Sequence, residues 1–227
     1  MLEATDITVT FGRHRVLDRA AVTVSPGEVV GLAGPSGCGK STLARVLALL
    51  LRPSGGRVVL DGQPVHRWRH RAPRRTAVGL IFQQPRLAVD PRFTLLDVIT
   101  EPLRANRRPL TRAHELAEEL GLTPELHSRR PHEVSDGQLQ RACVARALAL
   151  EPRYLICDEM TTMLDASTQA HLVARIEAYR ERTGAGVLAV SHDIELLERW
   201  SGGNVRELAP TLPIKEAAPA TGERSSA

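Results

Sequence analysis

The stretch Gly34-Pro35-Ser36-Gly37-Cys38-Gly39-Lys40-Ser41-Thr42 decides the architecture. It fits the pattern G-x-x-x-x-G-K-[ST], with Gly34, Gly39, Lys40 and Ser41 in the fixed positions. Glycines at this spacing leave no Cβ in the way, so successive backbone N–H groups can turn inward on an oxyanion. Such a loop has to follow a strand and open a helix. Glu28 to Ala33 is apolar with β-branched Val29 and Val30, and Ser41 to Leu51 carries leucine, alanine and valine at helical spacing. The helix N-terminus adds its partial positive charge to the same phosphates. A glycine-rich hairpin is the competing reading, and the flanking strand and helix argue against it.

Working outward, "LEATDITVT" (2–10) alternates as a strand, and "AAVTVSPGEVVGLA" gives two β-rich runs split by the turn Pro26-Gly27. Together they predict an antiparallel lead-in to the phosphate-binding strand. "GGRVVLDG" reads as a short strand closed by an Asp-Gly turn. "AVGLIF" (77–82) reads as a buried strand, before a proline-punctuated loop from Gln84 to Arg92. From about 95 to 150 only helical periodicity is found, in "LLDVITEPLRA", "RAHELAEELGL" and "GQLQRACVARALALE", which predicts an inserted helical lobe. Strand, helix and strand return with "RYLICDE", "STQAHLVARIEAYRERTG" and "GVLAVSHD", and a last helix and short strand lie near "IELLERWSGGNVREL". This alternation predicts an α/β fold with a mostly parallel sheet and helices on its faces. The length favours one domain with an inserted lobe, over 1–208, and the composition of the Ala/Pro/Ser/Thr-rich stretch 209–227 predicts a disordered tail.

With 3% aromatic and 42% hydrophobic residues, the core of this 227-residue chain has to be largely aliphatic. No apolar run approaches the ~18 residues of a membrane span, and "MLEATDITVT" lacks the regions of a secretory signal, so a cytoplasmic location is expected. Cys38, Cys143 and Cys157 show no metal spacing and read as reduced thiols. Cys38 lies inside the phosphate loop, where its alkylation is expected to block nucleotide binding. The net charge of +4 owes much to Arg67, Arg69, Arg71, Arg74 and Arg75 around Trp68. That cluster reads as a solvated face, with a nucleic-acid patch as the alternative.

Hydrolysis needs a carboxylate opposite the loop. "YLICDE" (154–159) is an apolar strand ending in two acids, which places Asp158 and Glu159 at the carboxyl edge where open parallel sheets bind ligands. There Asp158 can hold Mg²⁺ with the Ser41 hydroxyl, and Glu159 can orient and deprotonate an attacking water.

"EVSDGQLQR" (133–141) resembles the signature motif of ATP-binding cassette (ABC) ATPases, usually Leu-Ser-Gly-Gly-Gln. Gln83 in "IFQQP" resembles their Q-loop, "TMLDAST" from Thr162, with Asp165, their D-loop, and His192 in "VSHD" their switch histidine. Phe11 resembles the aromatic that stacks on adenine. The motifs stand in family order over roughly 2–208.

The resemblance implies a P-loop NTPase fold: a RecA-like, mostly parallel core, an N-terminal antiparallel β subdomain and an inserted α-helical subdomain. It implies ATP and Mg²⁺ as cofactors, the metal held by Ser41, Gln83 and Asp158, and catalysis by Glu159, His192 and Gln83. The nucleotide contacts would be Phe11, the loop from Gly34 through Pro35, Ser36, Gly37, Cys38, Gly39, Lys40 and Ser41 to Thr42, and Asp158. Ser135, Asp136, Gly137 and Gln138 would act on the nucleotide of a second subunit. Asp136 departs from the family's glycine, and a carboxylate near a triphosphate is expected to weaken ATP-driven closure.

"FQQPRLAVDPR", "RPHEVSDGQLQR" and "EPRYLICDEMTTMLD" resemble the peptide/nickel importer branch. That implies an ATP-hydrolysing subunit energising bacterial uptake of di- or oligopeptides, nickel or a metal chelate, at the cytoplasmic face of the inner membrane. Its partners would be a second cassette, a paralogue rather than a copy, a membrane permease docked near Gln83 to Thr94, and indirectly an external binding protein. A soluble ABC ATPase acting on nucleic acid or ribosomes and an exporter ATPase remain as rival readings.

Overall fold

The alternating N-terminal run forms β1 (Leu2–Phe11), which turns at Gly12 into the antiparallel β2 (His14–Val24). The structure, a computed structural model, describes residues 1–66, 68, 74–160 and 165–209. Arg67, Arg69 and Arg71 of the basic cluster, Thr162 to Leu164 of the D-loop stretch and nearly all of the tail lie outside the described residues. After β2 the chain runs through β3 (Val29–Ala33) into α1 (Lys40–Leu47), and then into the hairpin β4 (Gly55–Leu60) and β5 (Gln63–Pro64). β6 (Val78–Ile81) follows, then the helices α2 (Leu95–Ala105), α3 (Thr111–Glu119), α4 (Pro124–His127) and α5 (Asp136–Leu148). β7 (Tyr154–Asp158), α6 (Ala166–Thr183), β8 (Gly186–Val190), α7 (Ile194–Ser201) and β9 (Val205–Glu207) complete the order.

Two sheets result. One is antiparallel in the order β2-β1-β4-β5, and the other is parallel in the order β6-β7-β8-β3-β9. The expected α/β class with an antiparallel lead-in is therefore found. Side chains alternate across β7. Tyr154 and Ile156 join a core with Leu43 and Leu47 of α1 and Leu2, Ile7 and Leu17 of the antiparallel sheet. Leu155 and Cys157 face the opposite core, with Leu95, Leu116 and Leu139 of the helical segment and Leu172 and Ile176 of α6. One strand thus seals both layers. All five of its residues are buried, and its carboxyl end is held fast.

The helix after the phosphate loop stops sooner than its spacing suggests. Leu49 takes a left-handed conformation (φ 58°), and the Leu50 and Leu51 N–H groups close back on the Arg45 carbonyl at 2.8 and 3.1 Å. This is the wrapped C-cap in which glycine is the usual residue. The Arg75 guanidinium donates to the Ala48 carbonyl at 2.9 Å, so this member of the basic cluster closes a helix end.

Tyr154 (1% exposed) donates its phenol O–H to Asp61 Oδ1 at 2.6 Å, and Arg153 pairs with the same carboxylate. Asp61 lies in the β4–β5 turn, so this knot ties the antiparallel sheet to β7 of the parallel sheet. Burial works against the Asp61 charge, but bonds from the N-terminal ammonium and Tyr154 and the Arg153 charge outweigh it and hold the carboxyl below its usual range. Tyr154→Phe is expected to lower stability by about 1–2 kcal/mol in urea unfolding at neutral pH. A depressed carboxyl contributes stability above its unfolded value and loses it as pH falls through its folded one, so the deficit should shrink on acidification. An unchanged midpoint at neutral pH would refute the tie.

Candidate functional site

Four neighbouring parallel strands deliver the site, in the order β6, β7, β8, β3. Gln83 follows β6, Asp158 ends β7 with Glu159 just beyond it, His192 follows β8, and the phosphate loop follows β3. The loop is crowded where its glycines stand. A Cβ on Gly39 (φ 103°) would sit 2.6 Å from Leu17 Cδ2 and 2.9 Å from the Val16 carbonyl oxygen, so β2 packs directly on the loop. Gly34 (φ 152°) is equally closed, with 2.7 Å to the Leu208 carbonyl oxygen and 2.8 Å to Cys38 Sγ. Side chains are excluded from both positions by backbone as well as by conformation.

Lys40 is 5% exposed, and its ammonium donates to the Gly34 and Pro35 carbonyls at 2.7 and 3.1 Å. It also stands 3.6 Å from Glu159 Oε1. These are exchangeable partners, since a phosphate oxygen offers the ammonium a stronger, charge-assisted bond than a carbonyl does.

Ser41 Oγ donates to Asp158 Oδ1 at 3.1 Å, and Asp158 is 3% exposed. Burial first, and then the neighbouring Glu159 charge, push the Asp158 carboxyl above its usual range, against the pull of the Ser41 bond. The ionised form is therefore under-solvated where it stands. A dry carboxylate beside a hydroxyl is the all-oxygen donor set that Mg²⁺ takes, its remaining positions going to waters and substrate phosphates. These residues fit that ion.

Glu159 takes a left-handed backbone (φ 45°), with its N–H on the Val190 carbonyl at 2.9 Å. Left-handed conformations are uncommon for non-glycine residues, and here one turns the side chain off the strand end. Gln83 Nε2 donates to Glu159 Oε2 at 2.8 Å, and His192 Nδ1 is 3.8 Å from the same oxygen. The structure thus brings Lys40, Ser41, Gln83, Asp158, Glu159 and His192 into one cluster.

The other expected residues have different neighbours. Ser135 caps α5 through a capping box, its Oγ accepting the Gln138 N–H at 3.2 Å while its own N–H reaches Gln138 Oε1 at 3.0 Å. Among the described residues nothing accepts the Ser135 hydroxyl proton. Asp165 caps α6, accepting from the Thr168 N–H at 2.9 Å and from the Ser167 and Thr168 hydroxyls, and these bonds hold its carboxyl far below the usual range. Phe11 ends β1 with 53% of its surface exposed, on the hairpin whose second strand packs against Gly39.

Sequence reasoning missed Arg86. Its Nε lies 2.7 Å from Asp136 Oδ1, so the signature's carboxylate is not bare. Nothing in periodicity or spacing links residues 86 and 136. A cavity of about 250 Å³ opens beside this pair, lined by Gln83, Leu87, Gln140 and Met160.

One expectation changes with the structure. The expected alkylation of Cys38 meets an obstacle, because the residue is 3% exposed and its sulfur packs over Gly34. Cys143 (2% exposed) is pushed up to about 11 by burial, and burial also raises the Cys157 thiol. All three thiols are expected to resist a maleimide at pH 7 in the folded protein, at least about 100-fold more slowly than in guanidinium. Rapid native labelling of Cys38, read by mass spectrometry, would overturn this.

The comparisons agree with this geometry. The family model described as ABC transporter matches residues 17–162. The nickel import ATP-binding protein NikE of Escherichia coli is 38% identical over 200 residues, covering 83% of this chain and 74% of that protein. A probable peptide ABC transporter ATP-binding protein of Sinorhizobium fredii is 38% identical over 210 residues, covering 86% of this chain and 60% of that one. Among solved structures, a dimeric ATP-binding cassette in a post-hydrolysis state bound to ADP and Pi matches at a TM-score of 0.83 and 28% identity, covering 92% of this chain and 94% of that one. The phosphate loop, the acids of β7 and these matches together make the chain a member of the ABC transporter family of ATP-binding proteins.

Proposed function

We propose that this ATP-binding chain is the ATP-hydrolysing subunit of an importer, and that Glu159 is its catalytic base. The observation that carries the reading is the convergence of Lys40, Gln83 and His192 on the Glu159 carboxylate, beside the Ser41–Asp158 pair. Relatives named as nickel import and peptide transport ATP-binding proteins support an uptake role, with nickel, a metal chelate or a di- or oligopeptide as cargo.

In this reading the loop N–H groups from Gly34 to Thr42 and the Lys40 ammonium receive the β- and γ-phosphates, and Phe11 stacks on the base. As Lys40 turns to phosphate it releases Glu159 Oε1, which takes the proton of the attacking water. His192 holds the γ-phosphate oxygen and keeps that water in line. Mg²⁺, when held by Ser41 and Asp158 with Gln83 in reach, supplies neutralising charge to the transferred phosphoryl group.

Ser135, Asp136, Gly137 and Gln138 would face the nucleotide of a second cassette, with Asp165 at the same junction, and a paralogue is favoured over a copy. The unit would span 1–208, with its helical insert at about 95–150. No helix among the described residues is long and apolar enough to cross a membrane. A separate permease would dock at the cavity beside Gln83 and Leu87, at the cytoplasmic face of the membrane, and take substrate from an external binding protein. A nucleic-acid role draws no support from Arg75, which is committed to the Ala48 carbonyl.

Glu159→Gln is expected to cut ATP turnover by at least about 100-fold while leaving nucleotide binding in place. Lys40→Ala is expected to weaken nucleotide binding by about tenfold or more. Chelating divalent cations should stop turnover in the unsubstituted protein. Glu159→Gln retaining more than about a tenth of wild-type turnover would remove Glu159 from the role of base.

A further inference from the structure

We propose that Arg86 is a positioning residue for the signature turn, its guanidinium cancelling the charge that Asp136 places on a phosphate-facing helix N-terminus. The inference rests on the reading of Ser135 to Gln138 as the segment that meets a partner's nucleotide.

Arg86 reaches this turn with three of its nitrogens. Nε lies 2.7 Å from Asp136 Oδ1, one terminal nitrogen donates to the Pro131 carbonyl at 2.6 Å, and the other donates to the Val134 carbonyl at 3.1 Å. One planar fork therefore gathers the loop that leads into α5 and the first residue of that helix. Asp136 does not need this partner for the helix to form. A carboxylate in the first turn is favoured by the helix dipole alone, and the Ser135–Gln138 capping box already closes the end.

What the carboxylate spoils is the positive potential that lets a helix N-terminus accept an anion. Arg86 returns a positive charge at the same place. The paired oxygen, Asp136 Oδ1, is itself buried, while the two side chains as a whole keep 45% and 47% of their surface in solvent, so a docking partner meets the pair from its open side and dissolved salt screens it in part. Arg86 also stands three residues after Gln83, whose amide holds Glu159 at 2.8 Å. A single short segment thus touches both the base and the signature turn. Lysine in its place would keep the charge but could not span a carboxylate and two carbonyls at once.

The test uses the transport complex recovered from native membranes through a tag on this chain, with steady-state ATPase kinetics as the readout. Arg86→Gln keeps N–H donors for the carbonyls and removes the charge. It is expected to raise the KM for ATP by about tenfold with a smaller change in kcat, and Arg86→Lys by about threefold or less. In an Asp136→Gly background the same Arg86→Gln change should cost less than about twofold. The Arg86→Gln to wild-type ratio of KM should also shrink as KCl rises from about 50 to about 500 mM.

A penalty of equal size in both backgrounds, or one indifferent to salt, would overturn the inference and leave Arg86 a packing residue. The wild-type complex and Glu159→Gln serve as controls on the underlying reading. If the complex shows no turnover that Glu159→Gln removes, the ATPase reading falls first and the inference with it.

Discussion

Lys40, Asp158 and Glu159 carry charge with no more than 14% of any of them exposed to water. Taking charges out of solvent costs several kcal/mol per ion, and their mutual attraction offsets that only where geometry and hydrogen bonds are good. Here the offset is partial. Lys40 leans on two loop carbonyls and stands 3.6 Å from Glu159, while burial leaves Asp158 reluctant to ionise. A polyphosphate carrying a divalent cation would answer both deficits at once. The loop, the strand ends and the packing beneath them can be understood as the means of holding these three groups in one dry corner.

The sheet makes that corner rigid. β7 is buried on both faces, one packed against α1 and the antiparallel sheet, the other against the helical segment and α6. Its carboxyl end therefore has little freedom, and the left-handed step at Glu159 aims the side chain at groups delivered by the strands on either side. The same arrangement joins the helical segment to the Glu159 carboxylate. Gln83 and Arg86 lie on one stretch between β6 and α2, the first bonded to Glu159 and the second to the turn before α5. Any displacement of that stretch is felt at both places, because neither bond can lengthen far and persist.

Much of this was legible from residues alone. The phosphate loop, the apolar strand ending in Asp158 and Glu159, and the alternation of strands with helices are local patterns whose physics is local, so the parallel sheet with an antiparallel lead-in could be read directly. Gln83 and His192 were legible only as members of a motif set, since a single glutamine or histidine after a strand carries no signal of its own. The misreadings have physical causes. The helix after the loop ends at Leu47 because Leu49 adopts a left-handed cap that its residue type disfavours, so no glycine marked the stop. The burial of Cys38 is not legible from its place in the loop, because the closeness of Gly34 and Leu208 depends on β9 lying beside β3. Arg86 and the Tyr154–Asp61 tie join residues dozens of positions apart, and no periodicity encodes such a contact.

The most direct measurement is thermal unfolding of the purified chain with Mg-ATP, with ATP and a chelator, and with Mg²⁺ alone. If the buried charges are held for a metal–nucleotide complex, Mg-ATP at about 100 times its dissociation constant should stabilise the fold by about 2.7 kcal/mol and raise the melting temperature by several degrees. Metal-free ATP should do clearly less, and Mg²⁺ alone almost nothing. Equal shifts with and without Mg²⁺, or no shift with Mg-ATP, would contradict the claim that Lys40, Ser41 and Asp158 form one site for both.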